Sequence, residues 1–169
     1  MGIYRDPILV KIRDTLNQFG PKQLKDRYYF GDPIVVNQSL LPVCFISYDK
    51  QTITDVTMSE LESRLPVVLN VVYDMKRDMM QALDNIEGHM SLVDIIVGRN
   101  SDYSLKKDSI LGALRAHQDL DTNLWIDVGS SSEADFGVGP EKRGPGIYTA
   151  EGVLRIQVLN HSLNPEYQA

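Results

Sequence analysis

The chain has 169 residues, 43% of them hydrophobic and 24% charged, with 12 Gly and 8 Pro. That length suits one domain able to bury about 70% of the surface its unfolded chain exposes, without help from disulfides or metal, and the composition excludes a disordered, collagenous or low-complexity chain. A single cysteine, Cys44, excludes an internal disulfide framework and a multi-cysteine zinc site, and a net charge of -6 argues against a dedicated duplex-DNA binder.

The first twenty residues mix charges into an apolar pattern and lack a small-residue cleavage site, so no signal peptide is expected. No apolar run approaches the roughly 20 residues of a spanning helix. Asp6 followed by Pro7 is a helix start: a capping carboxylate, then the position that tolerates a missing N–H. Ile8, Leu9, Ile12 and Leu16 form a stripe at helical spacing, which predicts a helix over 7–18 that stops at Gly20-Pro21. Residues 1–30 hold six basic and three acidic side chains, which leaves -9 on the remainder. That asymmetry hints at an acidic neighbour, although a solvated helix face is the commoner cause.

Arg27-Tyr28-Tyr29-Phe30-Gly31 reads as a short aromatic strand or ordered arm. Residues 41–49 read as a strand with Pro42 at its start. Residues 50–60 are polar and read as a loop or a twisted hairpin limb. The strongest strand is 64–74. Leu65, Val67, Leu69, Val71 and Tyr73 share one face; Pro66, Val68, Asn70, Val72 and Asp74 share the other. The second face is half apolar, which predicts a partial cover, with another chain one candidate for it.

Met75, Met79, Met80, Leu83 and Ile86 fall near one helical face. Ser91-Leu92-Val93-Asp94 resembles a capping box and opens a short apolar helix that stops at Gly98. Ile110, Leu111 and Leu114 mark a third helix. Leu124, Ile126 and Val128 predict a strand, and so do residues 147–159, with Leu154, Ile156 and Val158 inward. Residues 160–169 read as a polar tail. Between the last two strands, residues 129–146 contain five Gly, two Pro and three Ser, which predicts a long flexible loop, functional or disordered until bound. The order of elements predicts one domain over 1–169 of the α+β class: a mostly antiparallel sheet with helices packed on one face.

The search for chemistry finds no convergent set, so no catalytic, cofactor-binding or metal-binding residue is assigned. Gly137-Val138-Gly139-Pro140 lacks the Gly-Lys-Ser/Thr ending of a phosphate loop. Asp119, Asp121 and Asn123 have the spacing that opens a calcium loop, but Leu124 stands where the turn requires Gly and Ser130 where a bidentate Glu is needed. His89, His117 and His161 are scattered. Cys44 sits in an apolar strand, where burial would make it an inert small hydrophobe. Tyr28, Tyr29 and Phe30 beside Lys22, Lys25 and Arg27 resemble a stacking surface for single-stranded nucleic acid, but the stretch is short and the chain acidic. The residues point instead to a protein that assembles. The candidate contact regions are 50–60, the arm Arg27, Tyr28, Tyr29 and Phe30, and the glycine-rich segment with Glu141, Lys142 and Arg143.

The order of elements resembles the tail terminator proteins of long-tailed bacteriophages. The similar features are the amphipathic helix over 7–18, the aromatic segment ending in Gly31, and a first strand opening Leu41-Pro42-Val43-Cys44-Phe45-Ile46. They continue through the longer strand over 65–74, the helix around Ser91-Leu92-Val93-Asp94, the strand and glycine loop with Arg143, and the closing strand over 153–159. The resemblance spans most of residues 5–160 and lies in patterns rather than in an invariant signature. It implies a structural virion protein, assembled in the host cytoplasm, that closes into a homo-oligomeric ring, a hexamer. The ring would cap the tail tube protein, end tail polymerisation and meet the head-tail connector protein, and in contractile tails the last tail sheath ring. It implies no enzymatic activity, no cofactor and no membrane contact, with DNA passing through the lumen unbound. An acidic lumen would repel phosphates and suit that passage. Two alternatives stand beside it: another neck ring protein, such as a head-completion or tail-completion connector, and a small enzyme with an inter-subunit site under the glycine loop.

Overall fold

The computed structural model of the chain describes residues 5–74 and 87–168. Helix α1 (Pro7–Phe19) begins where the sequence places it. The Asp6 carboxylate accepts from the N–H groups of Ile8 (2.9 Å) and Leu9 (3.0 Å), donors that no helical carbonyl reaches. The Tyr48 hydroxyl donates to the same carboxylate at 2.8 Å and ties the helix start to the sheet.

Strand β1 (Tyr28–Phe30) runs parallel to β2 (Val43–Tyr48); every other ladder among the described residues is antiparallel. Strands β3 (Thr52–Asp55) and β4 (Glu60–Asp74) form a hairpin. Helices α2 (Glu87–Val97) and α3 (Ile110–Ala116) follow, then the short hairpin of β5 (Asp119–Asp121) and β6 (Leu124–Ile126), and finally β7 (Glu133–Lys142) and β8 (Tyr148–Leu163). The long strands β4 and β8 pair from Glu60↔Leu163 to Asp74↔Thr149 and form the spine of the sheet. Each shares its outer edge between two neighbours in tandem. Strand β4 takes β3 along 61–64 and β2 along 67–72; β8 takes β7 along 148–155 and β6 along 158–160.

The main core lies between one face of this sheet and the helices. Leu65, Val67, Leu69 and Val71 of β4 and Leu154, Ile156 and Val158 of β8 alternate inward. They meet Ile12 and Leu16 of α1, Leu92 and Ile96 of α2, and Ile110 and Leu114 of α3. Each such aliphatic side chain contributes roughly 1.5–3 kcal/mol when fully buried. Gly152 of β8 lies under α2, where a Cβ would stand 2.6 Å from Cδ1 of Ile96. The missing side chain lets that helix settle onto the strand. The fold is α+β with the helices on one face, as the element order predicts. The other face carries a smaller cluster, Val36, Val43, Phe45 and Val72 with Leu41 against it.

Several local expectations are corrected. Residues 133–142 form strand β7 rather than part of a loop. The Gly and Pro composition misleads here because register shifts between Asp135 and Val138, and again between Val138 and Glu141, absorb it along a strand paired on one side only. Residues 160–163 continue β8 instead of joining a tail, because they pair with 60–63 of β4. The 50–60 segment is a hairpin limb, one of the two forms expected for it. Asp119–Asp121 is a strand with Leu120 buried. Ser91 lies inside α2 and does not open it. The helix expected at Met75, Met79, Met80, Leu83 and Ile86 falls outside the described residues.

Candidate functional site

The period of two in β1 divides the aromatic arm. Tyr28 is buried with the helix-side core and its hydroxyl, among the described residues, has no partner. Burial, and then the neighbouring Cys44, push its phenol far upward, so it stays neutral. Phe30 packs on the same core, with the Arg13 guanidinium 5.3 Å from its ring centre. Tyr29 faces the other way and is exposed, its ring 6.5 Å from that of Phe45. Arg27 donates to the carbonyls of Leu40 (3.3 Å) and Leu41 (3.0 Å), and among the described residues it pairs with no carboxylate.

The second cluster of predicted residues lies at the end of β7. Glu141 stands opposite Thr149 and Lys142 opposite Tyr148 in the ladder, and Lys142 is exposed. Arg143 is an internal clamp. Its guanidinium lies against the Glu151 carboxylate, with Nη2 to Oε2 at 2.8 Å, and their side chains are 11% and 3% exposed. Its Nη1 reaches out to Asp32 (2.9 Å) and to the carbonyl of Pro33 (2.6 Å), and its own carbonyl accepts from the Val36 N–H at 3.0 Å. Asn70 and Thr149 donate to Glu151, each at 3.2 Å. Burial pushes the Glu151 carboxyl upward, but the hydrogen bonds from Arg143 and Asn70 and the Arg143 charge overcome it, leaving the group below its ordinary value. The hydrogen bond to Glu151 raises Arg143 in turn, against the effect of burial.

This clamp holds residues 31–41 across the second face of the sheet. Between that strap and the strands lies an open groove of about 470 Å³, lined chiefly by Tyr29, Pro33, Val35, Leu40, Val43 and Phe45. Ile34 and Val35 on the strap are 83% and 65% exposed. The sequence reading missed this strap. Its signal was the apolar run Pro33-Ile34-Val35-Val36, too short to read as an element.

A second apolar surface lies at the turn of the β3–β4 hairpin, inside the 50–60 region that the sequence singles out. All four residues of β3 are exposed, and Ile53, Val56, Met58 and the nearby Leu163 present apolar surface to solvent. The turn is braced: the N–H of Val56 donates to the Glu60 carbonyl (2.9 Å) and the N–H of Asn164 to that of Ser59 (2.7 Å). Asp55 and Glu166 line the hollow beside the tip, while Glu62 lies 3.5 Å from Arg64 and Glu60 lies 3.9 Å from His161. The groove floor adjoins Val72 and the hairpin adjoins Ser63. The two surfaces therefore stand at opposite ends of β4, about 30 Å apart at the rise of an extended strand.

Another exposed aromatic, Tyr103, is 82% exposed at φ 70°, held there by the bonds Tyr103 N–H to Asn100 carbonyl (2.9 Å) and Arg99 to Tyr103 carbonyl (3.0 Å). Among the described residues no three His, Cys, Asp or Glu side chains gather as metal ligands, and no helix is long and apolar enough to cross a membrane. No protein-family model matches the chain, and no curated protein matches it either.

Proposed function

We propose that this chain is a ring-forming structural protein of a long-tailed bacteriophage, a tail terminator whose hexamer caps the tail tube, ends its polymerisation and presents a surface to the head-tail connector. One observation carries the reading. The molecule exposes two apolar surfaces of different shape, the strap groove and the hairpin tip, at opposite ends of its central strand. A ring of identical subunits needs a heterologous contact, in which two unlike patches meet. Exposed contiguous apolar surface on a folded domain marks such contacts. The helix, aromatic segment, long strands and closing strand follow the order that the resemblance describes, which supports the same reading.

The test is assembly. The purified chain is expected to form a six-fold ring and, when added to polymerising tube protein, to shorten the tubes and decorate one end. A monomer that leaves tube length unchanged would refute the reading.

A further inference from the structure

Among the described strands, β1, β3, β5 and β7 each pair on one side only. An open edge is a template for a further strand, and folded domains blunt it with short length, charge, proline or breaks in register. Strand β1 is three residues long. Strand β5 is equally short, with an exposed carboxylate at each end and an irregular register. Strand β7 shifts register twice. Strand β3 differs from all of them. Thr52, Ile53, Thr54 and Asp55 pair with β4 without a shift, and all four are exposed. Thr and Ile are β-branched and favour the extended backbone. The Val56 N–H donates to the Glu60 carbonyl, so the alternation of an antiparallel ladder turns the N–H and C=O groups of Ile53 and Asp55 away from β4. Strand β1 lies one strand further out, but alongside residues 69–71 of β4, clear of the 61–64 stretch that β3 takes.

We infer that β3 pairs with the β3 of a second copy, antiparallel about a two-fold axis at Ile53, so that the two sheets become one. The segment Gln51-Thr52-Ile53-Thr54-Asp55 reads nearly alike from either end. Centred on Ile53, the pairing sets Ile53 against Ile53 of the second copy. On the same face each Gln51 meets an Asp55, an amide donor against a carboxylate. On the other face each Thr52 meets a Thr54. Apolar, amide–carboxylate and Thr–Thr neighbours support a ladder, and no like charges stand opposite one another. The other registers that keep the outward groups opposed are poorer. Centring on Thr52 brings Asp49 opposite Asp55, and centring on Asp55 sets that carboxylate against its own copy. Centring on Thr54 sets Ile53 against Asp55. The charges thus fix the register, and the match of the strand to itself names the occupant. A two-fold contact joins two chains and cannot by itself close a ring of six. The pair is a form of the dilute chain, and it stands independently of the ring reading.

Disulfide trapping and sedimentation of the dilute chain test the pair. Opposed, hydrogen-bonded residues of an antiparallel ladder stand about 5.5 Å apart at Cα, within the roughly 4.4–6.8 Å that a disulfide spans. Cys44 is fully buried and gives little background. Ile53→Cys, mildly oxidised, should form a covalent dimer, whereas Met58→Cys, more exposed but far from the axis, should form none. Ile53→Pro removes an outward N–H and no ladder bond to β4, so the unfolding midpoint should hold while the dimer is lost. Gln51→Lys should tighten the dimer by up to about fivefold at each of its two contacts with Asp55, and Gln51→Glu should weaken it by as much. Equal cross-linking of Ile53→Cys and Met58→Cys would overturn the inference. So would a dimer that survives Ile53→Pro, or one that Gln51→Lys and Gln51→Glu leave equally tight. Ile53→Pro chains that no longer pair yet still close into a ring of six would uphold the inference and the ring reading together.

Discussion

Arg143 is the residue on which the second face depends. Its guanidinium sits between a buried carboxylate on β8 and the strap, so its loss leaves Glu151 charged and unmatched. Arg143→Met should lower the unfolding free energy by about 3–5 kcal/mol, the cost of stranding one partner of a buried pair, and Glu151→Gln in that background should restore part of it; urea unfolding at neutral pH measures both. The pH dependence has a definite sign. The folded Glu151 pKa lies below its ordinary value of 4.5. Its contribution is therefore complete above about pH 4.5 and is lost as the pH falls through the lower folded value. The natural chain should lose stability across that acid window, and Glu151→Gln should flatten the loss. Gly112 gives a packing test at the same scale. A Cβ there would stand 1.8 Å from the Lys106 carbonyl oxygen, a backbone atom that cannot turn aside. Gly112→Ala should cost about 3 kcal/mol, the upper range for overpacking, read as a lower unfolding midpoint.

At the scale of elements, the β3–β4 hairpin separates assembly from folding. Replacing residues 56–60 with a two-residue Asn-Gly turn keeps the Asp55↔Leu61 pairing of the hairpin and removes Val56 and Met58. The unfolding midpoint should stay where it is while assembly, followed by sedimentation, is lost; a ring that still forms would move the contact elsewhere. The elements with a strong period were legible in the sequence. Alternation placed β4 and the inward face of β8, and Asp6-Pro7 placed the start of α1, because each is a local signal with a local cause. Three features were not. Strand β7 hid behind its Gly and Pro residues, since its pairing depends on shifts in register that only the partner strand reveals. Residues 160–163 look like a tail, yet β4 is long enough to pair with them. The Arg143–Glu151 pair joins two residues across a turn with Asn70 far away in sequence, and nothing local distinguishes that arginine from a solvated one. For the same reason the aromatic arm reads as one surface, whereas the strand period sends Tyr28 and Phe30 against the core and turns Tyr29 to the groove.

A sheet covered by helices on one face carries a strap on the other, and two unlike apolar surfaces stand at the ends of its longest shared ladder. One subunit satisfies neither surface by itself, and a chain of head-to-tail contacts that closes satisfies both. The direct measurement is the native mass of the purified chain across a concentration series. A discrete particle of six 19.0 kDa chains is the predicted result; a species that remains at the mass of one chain at the highest concentration would contradict it.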